Sequence, residues 1–360
     1  MVAPMPPPDP ASRSLSDTAR RAAVVFAIGI LALTITGLLW VALDILFVAF
    51  AGVLLAVLLR ALADPLRKWT GWPLGVSLAV TIVTLLAIIS GAVWLGGERI
   101  VAQVQDLIDR LPQAVQQLRD QINHTTWGRA VIDRTSKYVQ NLPENQTVRQ
   151  QAWLSMWVAF NGLGYLLLIL IVGLYLAGDS KLYRAGLLHL IPLNKRARVG
   201  EVLAASGESL RGWMLGQMVN MALVGILTGV GLWLLGVELA ITLAILAAVL
   251  TFIPNFGPII SAIPAVLLGL THGPGTGLAV IGLYVGVQTL ESYLITPLVQ
   301  QRQADLPPVL TIIVQIVLGI ISGPLGLAIA TPLLAATLPI VRMLYVEDTL
   351  GDYTVESNGS

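Results

Sequence analysis

A chain of 360 residues with 56% hydrophobic and 11% charged positions, at a mean hydropathy of +0.81, lies far from the roughly 25% charged content of soluble domains. That composition predicts an all-α polytopic integral membrane protein. The formal net charge of +1 supplies no bulk field for nucleic acid, and the lack of cysteine excludes disulfides, thiolate metal sites, iron–sulfur clusters and cysteine nucleophiles.

Residues 1–21 open with "MVAPMPPPDPASRSLSDTAR", polar and proline-rich, and predict a disordered cytoplasmic tail. The apolar run after Arg20 and Arg21 has spanning length and no small-x-small exit, so it reads as a first membrane helix, not a cleaved signal. A hydrocarbon core needs about 20 apolar residues per helix. Such runs fall at 22–43, 45–62, 74–96, 153–177, 213–235 and 276–296, with a shorter one at 237–253. The organisation expected is three membrane helices over 22–96, an outer block at 97–151, and a fourth helix within 152–178. A cytoplasmic block at 179–211, a C-terminal membrane domain at 212–346 and a cytoplasmic tail at 347–360 follow.

Lys and Arg in the connecting segments set the orientation. Arg13, Arg20 and Arg21 precede the first helix, Arg60, Arg67 and Lys68 follow the second, and Lys181, Arg184, Lys195, Arg196 and Arg198 follow the fourth. These clusters alternate correctly when both termini are cytoplasmic. In the outer block, Ile100, Val104, Leu107, Leu111, Val115, Leu118 and Ile122 recur at helical spacing, with Pro112 expected to kink the helix. The stripe either packs on its own neighbours or forms a subunit contact, and its short length favours the first. The basic helical block at 179–211 could rest on anionic lipid, although the positive-inside bias alone accounts for its charge.

The stretch "LTFIPNFGPIISAIPAVLLGLT" places Pro254, Gly257, Pro258 and Pro264 inside the most apolar part of the chain. Only Ile259 to Leu270 is uninterrupted, and such a helix reaches about 18 Å, enough to enter a membrane but not to cross it. A turn at Gly273-Pro274-Gly275 would join it to the run 276–296 as a hairpin spanning 254–297. A second hairpin is expected over 307–343, broken at Ser322-Gly323-Pro324-Leu325-Gly326, with Pro332 in its second leg. With these two Gly/Pro-broken, re-entrant hairpins the chain would carry about eight membrane segments. Gly and Pro also serve plain packing in membrane helices, but repeated short, broken segments point to the working centre of a secondary transporter.

Among acids within apolar segments, Asp44 and Glu238 sit at helix connections, whereas Glu291 lies inside "YVGVQTLESYLITP" with Gln288 three residues back. A carboxylate at membrane depth is costly, which makes Glu291 either a proton-coupling group or an interfacial residue paired with Arg302. The phosphate-cradling, zinc-protease and nucleophile-elbow motifs are missing, and His124, His189 and His272 are scattered, so neither an enzyme nor a metal or cofactor site is indicated. Asn123 and Asn145 begin short sequon matches of little weight.

Four ordered segments, "RGWMLGQ", "FIPNFGPIISAIPAVLLGL", "QTLESYLITPLV" and "LPPVLTIIVQIVLGIISGPLGLAIATPLLA", resemble the autoinducer-2 exporter family of bacterial permeases. "LYVEDTLGD" is similar to the tail of one branch. The resemblance implies an inner-membrane homo-oligomer, expected as a pentamer, that exports the quorum-sensing signal autoinducer-2 or exchanges sodium or lithium for protons. It places signature positions at Pro254, Gly257, Pro258, Pro264, Glu291, Pro297, Gly323, Gly326 and Pro332, and a fifth-helix motif at Arg211, Gly216 and Gln217. Asn255 departs from the family, where an aromatic commonly follows the first proline. The expected function is therefore transport of a small hydrophilic solute past Asn255, Gln288 and the backbone freed at Pro254, Pro258 and Pro297. The rivals are a cation/proton antiporter and a non-transporting scaffold that docks through 97–151.

Overall fold

The computed structural model describes residues 10–123, 148–295 and 306–352, and every regular element among them is helical. Pro297 and Arg302 lie outside the described residues. The chain divides into two units, residues 1–48 and 49–360. In the first, the helix begins at Pro10, so the part of the expected tail from Pro10 onward is helical. Proline is tolerated there because the first N–H of a helix has no intrahelical acceptor.

Helix α1 runs from Pro10 to Thr70 without a break, where two helices separated near Asp44 were expected. A single aspartate carries less than about 1 kcal/mol of helix penalty and cannot end a helix without Gly or Pro beside it. The end comes at Gly71, whose φ of +73° and N–H bond to Arg67 O at 2.9 Å close the last turn. Helix α2, Leu74–Asn123, likewise runs from the third apolar run through Pro112 into the outer block.

In the second unit α3 is Val148–Gly178, α4 Ser180–His189, α5 Arg196–Leu234 and α6 Ala240–Leu250. Small residues let α5 and α6 approach closely. A Cβ on Gly225 would lie 2.8 Å from the Ala248 methyl, and one on Gly229 would lie 2.9 Å from the Ala244 methyl. Around this pair a core forms from Leu232, Val237, Leu243, Ala265, Leu268 and Val280, joined by Leu107 of α2. Leu107 thus packs on its own neighbours. Gln103, one turn earlier, accepts from Thr242 at 2.5 Å, and Arg110 pairs with Glu238 in the α5–α6 turn.

Helices α7, Phe256–Thr271, and α8, Pro274–Leu290, form the first hairpin. Gly269 and Gly277 permit backbone contact, and Tyr284 Oη donates to Ser261 O at 3.2 Å. The helix starts three residues earlier than expected because Pro258 falls in its first turn, where no donor is needed. At 16 residues α7 is about 24 Å long. Its apex residue His272 comes within 3.9 Å of Glu238, so the apex of the hairpin lies beside the α5–α6 turn.

Helix α9, Pro308–Ile340, contains non-helical backbone at Ser322 (φ −126°, ψ 20°) and Gly323 (φ 60°, ψ −140°). Gln315 donates to Thr331, 16 residues on, at 3.2 Å, whereas a straight helix would separate them by about 24 Å. The chain therefore reverses at Ser322-Gly323. Gly326 faces the Leu318 carbonyl so closely that a Cβ would overlap it, which makes glycine obligatory in the second hairpin.

Among the described residues, Ala42–Thr70, Leu193–Leu234 and Pro308–Glu347 are long and apolar enough to cross a membrane, the last folded as a hairpin. Gly162–Gly178 and Ser180–His189 make a fourth only if the pair, bent by 88° at its break, is counted as one span. With the shorter apolar helices beside them, these make an all-α polytopic membrane protein.

Candidate functional site

The mouths of the two hairpins meet in a layer of uncharged polar side chains. Helix α6 ends at Leu250 and α7 begins at Phe256, so the turn between them leaves backbone groups outside any helix. Gln217 of α5 donates to Thr251 O at 2.5 Å. Phe256 N donates back to Pro254 O at 2.8 Å across Asn255, whose φ of 68° and ψ of −48° are those of a classic γ-turn. Such a conformation in a residue other than glycine stores about 1–3 kcal/mol and persists only where its surroundings hold it.

Gln315 holds it. This side chain is fully buried, and its Nε2 donates to Pro254 O at 2.9 Å and to Thr331 Oγ1 at 3.2 Å. Its Oε1 accepts from Asn255 Nδ2 at 3.3 Å. One glutamine therefore joins the entry of the first hairpin to both legs of the second. Gly257 completes the turn, since a Cβ there would overlap the Leu250 carbonyl.

One turn along α5 from Gln217 lies a second cluster. Asn220 Nδ2 donates to Glu291 Oε1 at 2.6 Å, and Gln288 also hydrogen-bonds that carboxylate. Glu291 sits where α8 gives way to a π-turn over Glu291–Ile295, a geometry that is frequent at functional sites. Asn220 Oδ1 is buried without a hydrogen-bond partner. Asn220 thus ties α5 to the turn after α8 through its amide nitrogen and leaves its own carbonyl without a donor.

Comparison with known proteins decides the family. The family model for AI-2E family transporters matches residues 28–345. The chain belongs to the AI-2E transporter family. Two Bacillus subtilis (strain 168) proteins, YueF and YrrI, are named as candidate transport proteins. YueF is 26% identical over 284 residues, covering 73% of this chain and 74% of that protein. YrrI is 24% identical over 294 residues, covering 79% and 83%. A Mycobacterium tuberculosis relative, also named for transport, is 25% identical over 308 residues, covering 83% of each.

In this AI-2E family transporter the residues singled out in the sequence separate into three groups. Pro254, Asn255, Gly257 and Gln217 meet at the first mouth, and Gln288 joins Glu291 in the second cluster. Pro258 lies in the first turn of α7 and Pro264 farther along it, while Gly216 and Pro332 are buried in α5 and α9. Gly323, Pro324 and Gly326 build the apex of the second hairpin, about 10 Å along the first leg from Gln315. Arg211 also stands apart, paired with Asp64 of α1 at 2.6 Å, about 9 Å along α5 from Gln217. The residues that complete the layer, Gln315, Thr331, Thr251 and Asn220, were missed. Their signal was present, because Gln315 in "TIIVQIVLG" and Asn220 in "GQMVNMALVG" are amides inside apolar runs, but attention to charges and helix breakers passes over amides.

Proposed function

We propose that this transporter is a secondary exporter of a small hydrophilic solute, with autoinducer-2 as the first substrate to test. In this reading it works as a homo-oligomer in the bacterial inner membrane, with both termini cytoplasmic. The observation that carries the proposal is the Gln315–Asn255–Pro254 layer, a polar surface at the mouths of two broken hairpins. Helix breaks in a transporter core offer backbone and amide groups to hydrophilic solutes. Asn255 is exposed at this turn, so it would contact the solute while Gln315 holds the turn in shape. Glu291 would couple protons. The test is efflux of autoinducer-2 from energised proteoliposomes. Asn255→Ala should lower flux at least about tenfold while Glu291→Gln abolishes its dependence on the proton gradient; unchanged flux in both variants overturns the reading.

A sodium or lithium/proton antiporter is the second reading, favoured by the unpartnered Asn220 Oδ1 beside Glu291. It predicts sodium-dependent proton movement that Asn220→Ala removes. The scaffold reading is weakened because Gln103, Leu107 and Arg110 of the outer block are already engaged with the transporter's own helices.

A further inference from the structure

Helix α4 follows a spanning-type helix at a right angle. Residues Gly162–Gly178 of α3 are apolar and mostly exposed, and Ser180–His189 turns away from them by 88°. A helix perpendicular to a membrane-crossing one lies in the plane of the bilayer surface. The corner is fixed, since the Asp179 side chain accepts from Leu182 N at 3.1 Å and Arg60 Nε of α1 donates to Ala177 O at 2.8 Å.

None of the ten residues of α4 is buried. At 100° per residue Leu182, Gly186, Leu190, Tyr183 and Leu187 fall on one arc. Leu182, Leu187 and Leu190 are 62%, 56% and 80% exposed, a level water would not favour. The flank bearing Arg184 and Leu188 rests on Gly200 of α5, with Arg184 donating to Gly200 O at 2.6 Å, and Lys181 lies opposite the apolar arc. This is the layout of an interfacial helix.

The charges around it are not all spent on the protein. Arg184 and Arg196 donate to backbone carbonyls, Arg198 pairs with Glu201, Glu347 and Asp348, and Arg211 pairs with Asp64. Lys181 and Lys195, with Arg67 and Lys68 at the end of α1, are exposed and form no ion pair among the described residues. Trp69 and Trp72 flank that end, 90% and 43% exposed, as aromatic side chains do at a headgroup layer. On α5, Glu208 is exposed and forms no ion pair among the described residues.

We propose that α4 is an in-plane membrane anchor whose apolar arc enters the leaflet, and that Arg67, Lys68, Lys181 and Lys195 bind the headgroups of anionic phospholipids. Positive-inside bias explains the sign of these charges; the perpendicular helix and its exposed leucines mark where a headgroup layer would lie. The full-length protein is reconstituted in nanodiscs of phosphatidylcholine alone or with about a third phosphatidylglycerol, and hydrogen exchange is followed at residues 182–190. The wild type should exchange at least about tenfold more slowly with phosphatidylglycerol present. The quadruple variant Arg67→Gln, Lys68→Gln, Lys181→Gln, Lys195→Gln should lose that gain, with exchange in α7 and α8 as the control for folding. Equal wild-type exchange in both lipids overturns the proposal, as does protection that vanishes with single-copy discs, which would mean a second copy covers the arc.

Discussion

Replacing Gln315 by leucine removes the side chain shared by both hairpins and keeps the volume. Three groups then lose their partner: Pro254 O, Thr331 Oγ1 and Asn255 Nδ2. Pro254 O keeps its bond from Phe256 N, and Asn255 is exposed enough to find water, so Thr331, 2% exposed, bears most of the loss. An unsatisfied buried hydroxyl costs about 1–3 kcal/mol. The γ-turn at Asn255 also loses its tether, and about 1–3 kcal/mol of stored strain favours its opening. Release of that strain offsets part of the loss, so the expected destabilisation is at most about 1–3 kcal/mol. Equilibrium unfolding in mixed micelles would measure it, in a cycle with Thr331→Val. Valine removes the hydroxyl that leucine strands, so the double variant should recover about 1 kcal/mol relative to the sum of the two single changes. Additive effects, or a Gln315→Leu protein as stable as the wild type, would refute the shared-staple argument.

Asn255 sits at positive φ, where glycine is at ease, so Asn255→Gly should change stability by less than about 1 kcal/mol whereas Asn255→Val should lose about 1–3 kcal/mol by the same unfolding measurement. Solute flux should fall in both, which separates contact from folding. Gly326→Ala drives a methyl into the Leu318 carbonyl and should prevent assembly of the second hairpin, seen as loss of folded protein on size exclusion. Gly282→Ala has open space within α8 and should be neutral or stabilising by up to about 1 kcal/mol. Glu291→Gln preserves an acceptor for Asn220, so thermal stability should hold while any dependence of flux on external pH disappears.

How much of this was legible in the sequence depends on the kind of interaction. The breaks at Pro254–Pro258 and Ser322–Gly326 were readable, because glycine and proline act locally. The continuity of α1 through Asp44 was not, since a polar residue between two apolar runs suggests a loop unless helix propensity is weighed against it. The start of the first hairpin's helix was placed three residues late for a related reason: Pro258 looks like a terminator, yet it occupies the helix's first turn. The site itself was half visible. Asn255, Gln217, Gln288 and Glu291 could be singled out singly, but that Gln315 meets Asn255 and Asn220 meets Glu291 follows from packing between elements 60 and 71 residues apart.

Those long-range pairs also constrain how the hairpins can move. Gln315 contacts the turn before the first hairpin and the far leg of the second, so displacing the turn breaks two of its hydrogen bonds and displacing the far leg breaks one. At about 0.5–1.5 kcal/mol net for each bond, that is about 0.5–3 kcal/mol, the size of gap that separates a major from a minor conformer. The γ-turn offsets part of it, because its strain is released when Asn255 leaves Gln315. A solute carrying its own donors and acceptors could take over the bonds of the amide pair at that moment, shifting the equilibrium by its preference for the open mouth. An aromatic at position 255 could not donate to Gln315 through an amide, so Asn255 shapes the latch together with the surface the solute would meet. The double variant Asn255→Tyr, Gln315→Leu should then transport better than Gln315→Leu alone if the solute contact is what matters, and no better if the latch is.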